Sequence, residues 1–119
     1  MSVTKLSVTC NLVTGPERPL PVEIDHAVIA GWTGRDPAAV QEHIVELQAL
    51  GVAPPKTPPE FYRVSASRLT TASVIQSLGD ASSGEAEALL IKHGGELFVG
   101  VGSDHTDRDL EAHSLRASK

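Results

Sequence analysis

Three aspartates, a histidine and an arginine stand within the eight residues Gly102-Ser103-Asp104-His105-Thr106-Asp107-Arg108-Asp109, directly behind the apolar run Leu97-Phe98-Val99-Gly100-Val101. A protein interior does not take that density of charge unless the groups pair with one another or bind an ion. The chain is therefore expected to run a strand up to an opening, turn, and present a polar site there. A second acidic pair, Glu85 and Glu87, lies upstream. Residues two apart in an extended segment share a face. Glu85, Glu87 and Asp104 are thus three carboxylates that can converge, a donor set suited to a hard divalent cation, Mg²⁺ or Mn²⁺.

A chain of 119 residues fits one domain. Aromatics make up only 3%, so a core has to rest on Val, Leu, Ile and Ala. The net charge of -5 and the lack of any Lys/Arg cluster argue against a nucleic-acid partner, whose phosphates need such clusters. No apolar run approaches the roughly 20 residues that span a bilayer, so no membrane role is expected. The first residues lack a basic start followed by an apolar signal core, which argues against secretion. The single cysteine, Cys10, forms no internal disulfide, and a reducing cytoplasmic location is expected. Cys10 alternates with Leu6, Val8 and Leu12, the position of a buried strand cysteine rather than a reactive thiol.

That alternation predicts a half-buried strand over residues 6–13. A Gly/Pro turn follows over 14–19. A second strand runs through Val22 and Ile24 and on towards His26 and Val28, and the two are expected to form a hairpin. Asp36-Pro37 is a helix start, with Asp capping free amides and Pro suited to the first helical position. Val40, His43, Ile44 and Leu47 then share one face, and Leu50-Gly51 ends the helix. The proline-rich residues 52–59 form a stiff connector. Strands are expected over 61–64, over the Thr/Val/Ile-rich 69–78, and as a pair over 85–92 and 96–101 joined by His93-Gly94-Gly95. A helix is expected over 106–118, with Leu110 and Leu115 as its few apolar contacts. The result is an α+β fold, mainly β, with peripheral helices. An open sheet edge invites pairing with another chain, which allows a homodimer.

Each candidate group has a structural reading beside the chemical one. Glu85 and Glu87 are two metal ligands on one strand face, or a solvated strand edge. His43 and Glu46 are neighbours at i,i+3 on a helix, and a carboxylate beside an imidazole suits a general base. The same histidine also fits simple packing beside Val40, Ile44 and Leu47. In the 102–109 segment, Arg108 is placed to pair with Asp104 or Asp107, or to hold a substrate carboxylate. The acids of that segment also suit a helix N-terminus. His26, His93 and His113 are isolated. Gly100-Val101-Gly102 lacks the spacing of a nucleotide loop.

The strings Gly31-Trp32-Thr33-Gly34-Arg35-Asp36, Ser83-Gly84-Glu85-Ala86-Glu87 and Val99-Gly100-Val101-Gly102-Ser103-Asp104-His105-Thr106-Asp107-Arg108 resemble those of the bacterial domain of unknown function 2848 family along nearly the whole chain. Members of that family are typically about twice this length, so the resemblance implies a single domain over 1–119 that is the N-terminal part of a longer one. More distantly, the order of His43-x-x-Glu46, a proline-bounded Phe61 strand, Glu85-x-Glu87 and Asp104 with Arg108 is similar to the fumarylacetoacetate hydrolase family. That likeness implies a mixed β-sandwich roll, incomplete at its C-terminus. It implies Mg²⁺ or Mn²⁺ on Glu85, Glu87 and Asp104, proton transfer by His43 with Glu46, and Lys119 as a donor to a developing oxyanion. The implied activity is that of a hydrolase or lyase on a small 2-oxo acid or 1,3-dicarbonyl acid through a metal-stabilised enolate. The alternatives are a non-catalytic small-acid binding or assembly module and an inactive truncated fragment. Two departures stand out: Ser103 replaces the family's Asn before the metal-binding Asp, and Arg63 stands where a lysine is common.

Overall fold

The computed structural model describes residues 3–11 and 15–119. Strands β1 (Thr4–Cys10) and β2 (Arg18–Ile24) form an antiparallel pair in which Leu6 faces Val22 and Val8 faces Leu20. The expected Leu12-Val13 end of the first strand lies outside the described residues. The second strand does not continue through His26. It breaks at Asp25, whose carboxylate meets His26 Nδ1 at 2.9 Å, and β3 (Ala27–Gly31) begins beyond the bend. That bend separates β3 from β2 and lets it pair with β4 (Glu60–Val64), Ile29 opposite Tyr62.

Between β3 and β4 lies helix α1 (Pro37–Ala49). Asp36 caps it, its Oδ1 accepting from the Ala38 amide at 2.9 Å, and Pro37 opens it. At the far end Gly51 takes φ 95°, a left-handed conformation that costs glycine little. Ile44 is the buried residue of its inner face. Residues 69–81 are not a strand. Val74, Ile75 and Leu78 are all exposed there, and β-propensity without a pairing partner makes no ladder.

Next come β5 (Ser82–Ser83), β6 (Ala86–His93), β7 (Glu96–Ser103) and β8 (Thr106–Asp107). β6 and β7 form a hairpin closed by Gly94 and Gly95, both at positive φ, as a two-residue turn with the right twist requires. β5 pairs with β8. The described strands thus form four antiparallel two-stranded sheets.

The C-terminal helix is far shorter than expected. α2 spans only Arg108–Glu111, and residues 106–107 are drawn into β8 instead. Beyond Glu111 the His113 and Ser114 amides both turn back to the Leu110 carbonyl. With only Leu110 and Leu115 apolar, the segment has no stripe to bury, and a short helix without one is marginal.

The core is small. Cys10, Leu20 and Val22 on β1–β2 are buried, and Ile91 and Phe98, opposite one another on β6–β7, pack against them. One hairpin face therefore lies on the other. Cys10 is a buried thiol within a strand, as its alternation implies. The fold is mainly β with a few helices.

Candidate functional site

Where β6 leaves its loop, the Asp104 amide donates to the Glu85 carbonyl at 2.8 Å. That single bond, beyond the end of the β6–β7 ladder, sets Asp104 beside Glu85. Gly84 makes the approach feasible: a Cβ there would meet the Ser103 hydroxyl at 2.8 Å. Glu87 follows on β6, paired across the sheet with Gly102. β3 ends at Gly31 just before Trp32, β4 supplies Tyr62 and α1 supplies His43. A cleft of about 320 Å³ gathers them, lined by Trp32, His43, Tyr62, Glu85, Glu87, Asp104, Glu111 and Lys119 among others.

The polar groups are closely paired. Lys119 Nζ lies 2.7 Å from Asp104 Oδ2 and donates to Thr106 Oγ1 at 2.7 Å. Thr106 is fully buried, and its hydroxyl donates to the Asp104 carbonyl at 3.1 Å. Arg68 Nη1 donates to the Lys119 main-chain oxygen at 2.7 Å. Lys119 is therefore held at both its backbone and its ammonium.

Arg108 pairs with neither Asp104 nor Asp107. Its Nη1 meets Glu85 Oε1 at 2.6 Å and Glu111 Oε2 at 3.0 Å, and its Nε donates to Ser83 Oγ at 2.8 Å. Burial pulls the guanidinium pKa down, and the hydrogen bonds to Glu85 and Glu111 outweigh that, leaving it raised. Asp107 caps α2 instead, accepting from the Asp109 and Leu110 amides at 3.0 and 3.1 Å. The acidic segment thus divides: Asp104 faces the cleft and Asp107 closes a helix end.

His43 and Glu46 are 3.8 Å apart, longer than a hydrogen bond, and both are exposed. The His43 ring reaches the cleft and lies 5.5 Å from that of Trp32. Trp32 takes φ 61°, unusual for a bulky residue, and its buried indole Nε1 has no partner among the described residues. The Tyr62 phenol is pushed up to about 12, by burial first and then by Asp104, Glu111, Glu85 and Glu60.

The oxygen-only carboxylate set on this cleft fits a hard divalent cation in chemistry. As the side chains stand, no group of three or more His, Cys, Asp or Glu among the described residues is drawn tightly enough to hold a metal ion. Glu85 faces Arg108 and Asp104 faces Lys119, so an ion would have to draw both acids away from their present partners.

Sequence reasoning placed Glu85, Glu87, Asp104, His43 and Lys119, which share the cleft, together with Glu46 and Arg108, which lie beside it. It missed Tyr62, Trp32, Thr106 and Glu111. Tyr62 was legible as the residue between Phe61 and Arg63 on the opposite strand face. Nothing local marks Thr106.

Among the described residues no helix is long and apolar enough to cross a membrane. No curated protein and no solved structure matches the chain. The family model described as "Protein of unknown function (DUF2848)" matches residues 30–119, the stretch that supplies every residue of the cleft named above, and the chain belongs to that family.

Proposed function

We propose that the chain is a divalent-metal-dependent hydrolase or lyase acting on a small 2-oxo acid or 1,3-dicarbonyl acid. The observation that carries this reading is one cleft that holds Glu85, Glu87, Asp104, Lys119 and His43 together in about 320 Å³. That volume suits a small ligand. Mg²⁺ or Mn²⁺ on Glu85, Glu87 and Asp104 would supply a Lewis acid for the oxo-acid oxygens and for the charge that develops as a C–C bond breaks.

The chain's own groups have separate tasks. Lys119, released from Asp104, donates from Nζ to an oxygen of the substrate. His43 moves a proton at the other wall, where its ring lies against Trp32. Arg108 holds Glu85 in place from outside the lining.

The test is calorimetric titration of Mn²⁺ into the folded chain and its Asp104→Asn variant, followed by an assay for loss of oxaloacetate. Stoichiometric uptake that vanishes in the variant, with metal-dependent turnover, supports the proposal. A folded chain that takes up no Mn²⁺ sinks it. Oxaloacetate binding without turnover would favour a non-catalytic small-acid module.

A further inference from the structure

The cleft has two unlike sides. The stretch 85–119 brings Glu85, Glu87, Asp104 and Glu111, with Lys119 among them. The stretch 30–62 brings the rings of Trp32, His43 and Tyr62, with Val40 and the small Ala30 and Ala39 between them. Among the described residues that second side holds no Lys, Arg, Asp or Glu.

Trp32 is held there at a cost to the fold. Its φ of 61° is one that a bulky side chain rarely takes, and its buried Nε1 has no acceptor among the described residues. Local costs of this kind persist where the surroundings fix them, and they gather at ligand sites. The surroundings that fix Trp32 are visible. A Cβ on Gly34 would meet Val40 Cγ2 at 2.6 Å, so the turn after Trp32 is pressed onto α1. His43, three residues on from Val40 along the helix, sets its ring 5.5 Å from the indole and tilted by 55°, an arrangement that aromatic pairs favour. The indole is thus oriented before any ligand arrives.

We infer that Trp32, Val40, His43 and Tyr62 form a subsite for a planar apolar tail, so that the ligand of this cleft is a monocarboxylic oxo acid bearing an aromatic ring and not a dicarboxylic acid. The inference rests on the oxo-acid reading of the cleft and adds what the acid carries beyond its head. Charge excludes the dicarboxylic acid. Four acids line the cleft against Lys119 as its one Lys or Arg among the described residues, and a divalent cation would still leave that balance negative. Lys119 is engaged on the acidic side, 2.7 Å from Asp104. A second carboxylate on the ligand would lie on the ring side, desolvated and without a cation to pair with. A planar apolar tail meets ring faces there instead. About 320 Å³ has room for one ring beside an oxo-acid head.

The test compares three acids with the same head: pyruvate, phenylpyruvate and oxaloacetate. Their affinities for the full chain are measured by calorimetry with and without Mn²⁺. Phenylpyruvate is expected to bind at least about tenfold tighter than pyruvate, and oxaloacetate no tighter than pyruvate. Trp32 is the only tryptophan, so its emission is expected to shift with phenylpyruvate and not with pyruvate. In Trp32→Leu the ratio of phenylpyruvate to pyruvate affinity is expected to fall to near one. Ala39→Lys places an ammonium on the ring side, at an exposed position, and is expected to favour oxaloacetate over phenylpyruvate at least about fivefold more than the wild type does. Phenylpyruvate that binds in this way to a chain taking up no Mn²⁺ upholds the subsite and sinks the metal-centred reading. Uptake of Mn²⁺ with all three acids bound alike does the reverse. The inference is also overturned by a wild type that binds no phenylpyruvate, or binds oxaloacetate more tightly, and by a folded Trp32→Leu chain that keeps the wild-type ratio.

Discussion

Lys119 Nζ and Asp104 Oδ2 lie 2.7 Å apart, with the two side chains only 10% and 14% exposed. Thr106, buried beneath them, accepts a further hydrogen bond from the same ammonium. Removing one partner of a shielded pair leaves the other charge unpaired, and that costs more than the pair itself contributes. Lys119→Met should therefore destabilise the fold by about 3 kcal/mol in urea denaturation. Adding Asp104→Asn to that variant should recover at least about 1 kcal/mol, since residues in contact do not add independently. A loss under about 0.5 kcal/mol in the single variant, the scale of an exposed pair, would refute the shielding.

Tyr62 is the only tyrosine, so its phenolate absorbance titrates without overlap. Folded chain should show a midpoint near 12, and urea-unfolded chain one near the ordinary value of about 10. The native state holds this proton more tightly than the unfolded state. The corresponding stability is intact below about pH 10 and falls as pH rises towards 12. Glu111→Gln should bring the folded midpoint down part of the way, because burial acts first and Glu111 is one of four acids behind it. A folded midpoint at 10 would mean that neither burial nor the four acids raise the phenol.

Trp32 combines a left-handed backbone with an indole N–H that has no acceptor among the described residues. Trp32→Phe keeps the backbone strain and the aromatic contact with His43 while removing the donor. A buried donor without a partner costs about 1–3 kcal/mol, so the smaller ring should leave stability unchanged or raise it by up to about 1 kcal/mol. Thermal melting of the two proteins decides this. A drop of more than about 2 kcal/mol would mean that the N–H is satisfied in solution.

Helix α1 carries His43 to the cleft, and it starts on a single exposed cap. Asp36→Ala should cost about 1 kcal/mol and fray the first turn. Amide exchange at Ala38 and Ala39 should speed up while that at Ile44 is little changed. Uniform acceleration along the helix would show that the cap governs the whole element.

The elements legible in the sequence are those with a local cause. Asp36-Pro37 starts a helix in almost any context, Gly94-Gly95 turns a hairpin, and the alternation around Cys10 has one buried face. The apolar residues of 69–78 and the acids of 106–109 were read for strand and helix, but their outcome depends on distant partners. The 69–78 segment finds no strand to pair with, and Thr106-Asp107 finds β5. The cleft carboxylates were legible from spacing, because Glu85 and Glu87 sit two apart and Asp104 ends an apolar strand. The partners of those acids were not, since Arg108 and Lys119 choose among several carboxylates according to how the chain turns between Asp104 and Thr106. Tyr62 and Trp32 are brought to the cleft, and Thr106 beneath Lys119, by pairing and packing alone.

Glu87 stands seven residues before Gly94, about 23 Å along the strand. Its side of the sheet is decided by parity, counted from the turn. A deletion of one residue at Gly94-Gly95 that left β7 in place would reverse every side chain of β6. Glu87 would then leave the cleft, Ala86 or Ala88 would line it, and Leu90 would enter the core where Ile91 now lies. A glycine pair that touches no polar group thus acts as the chain's odd-or-even switch, and the acid complement of the cleft is inherited from a count made at the far tip of the hairpin.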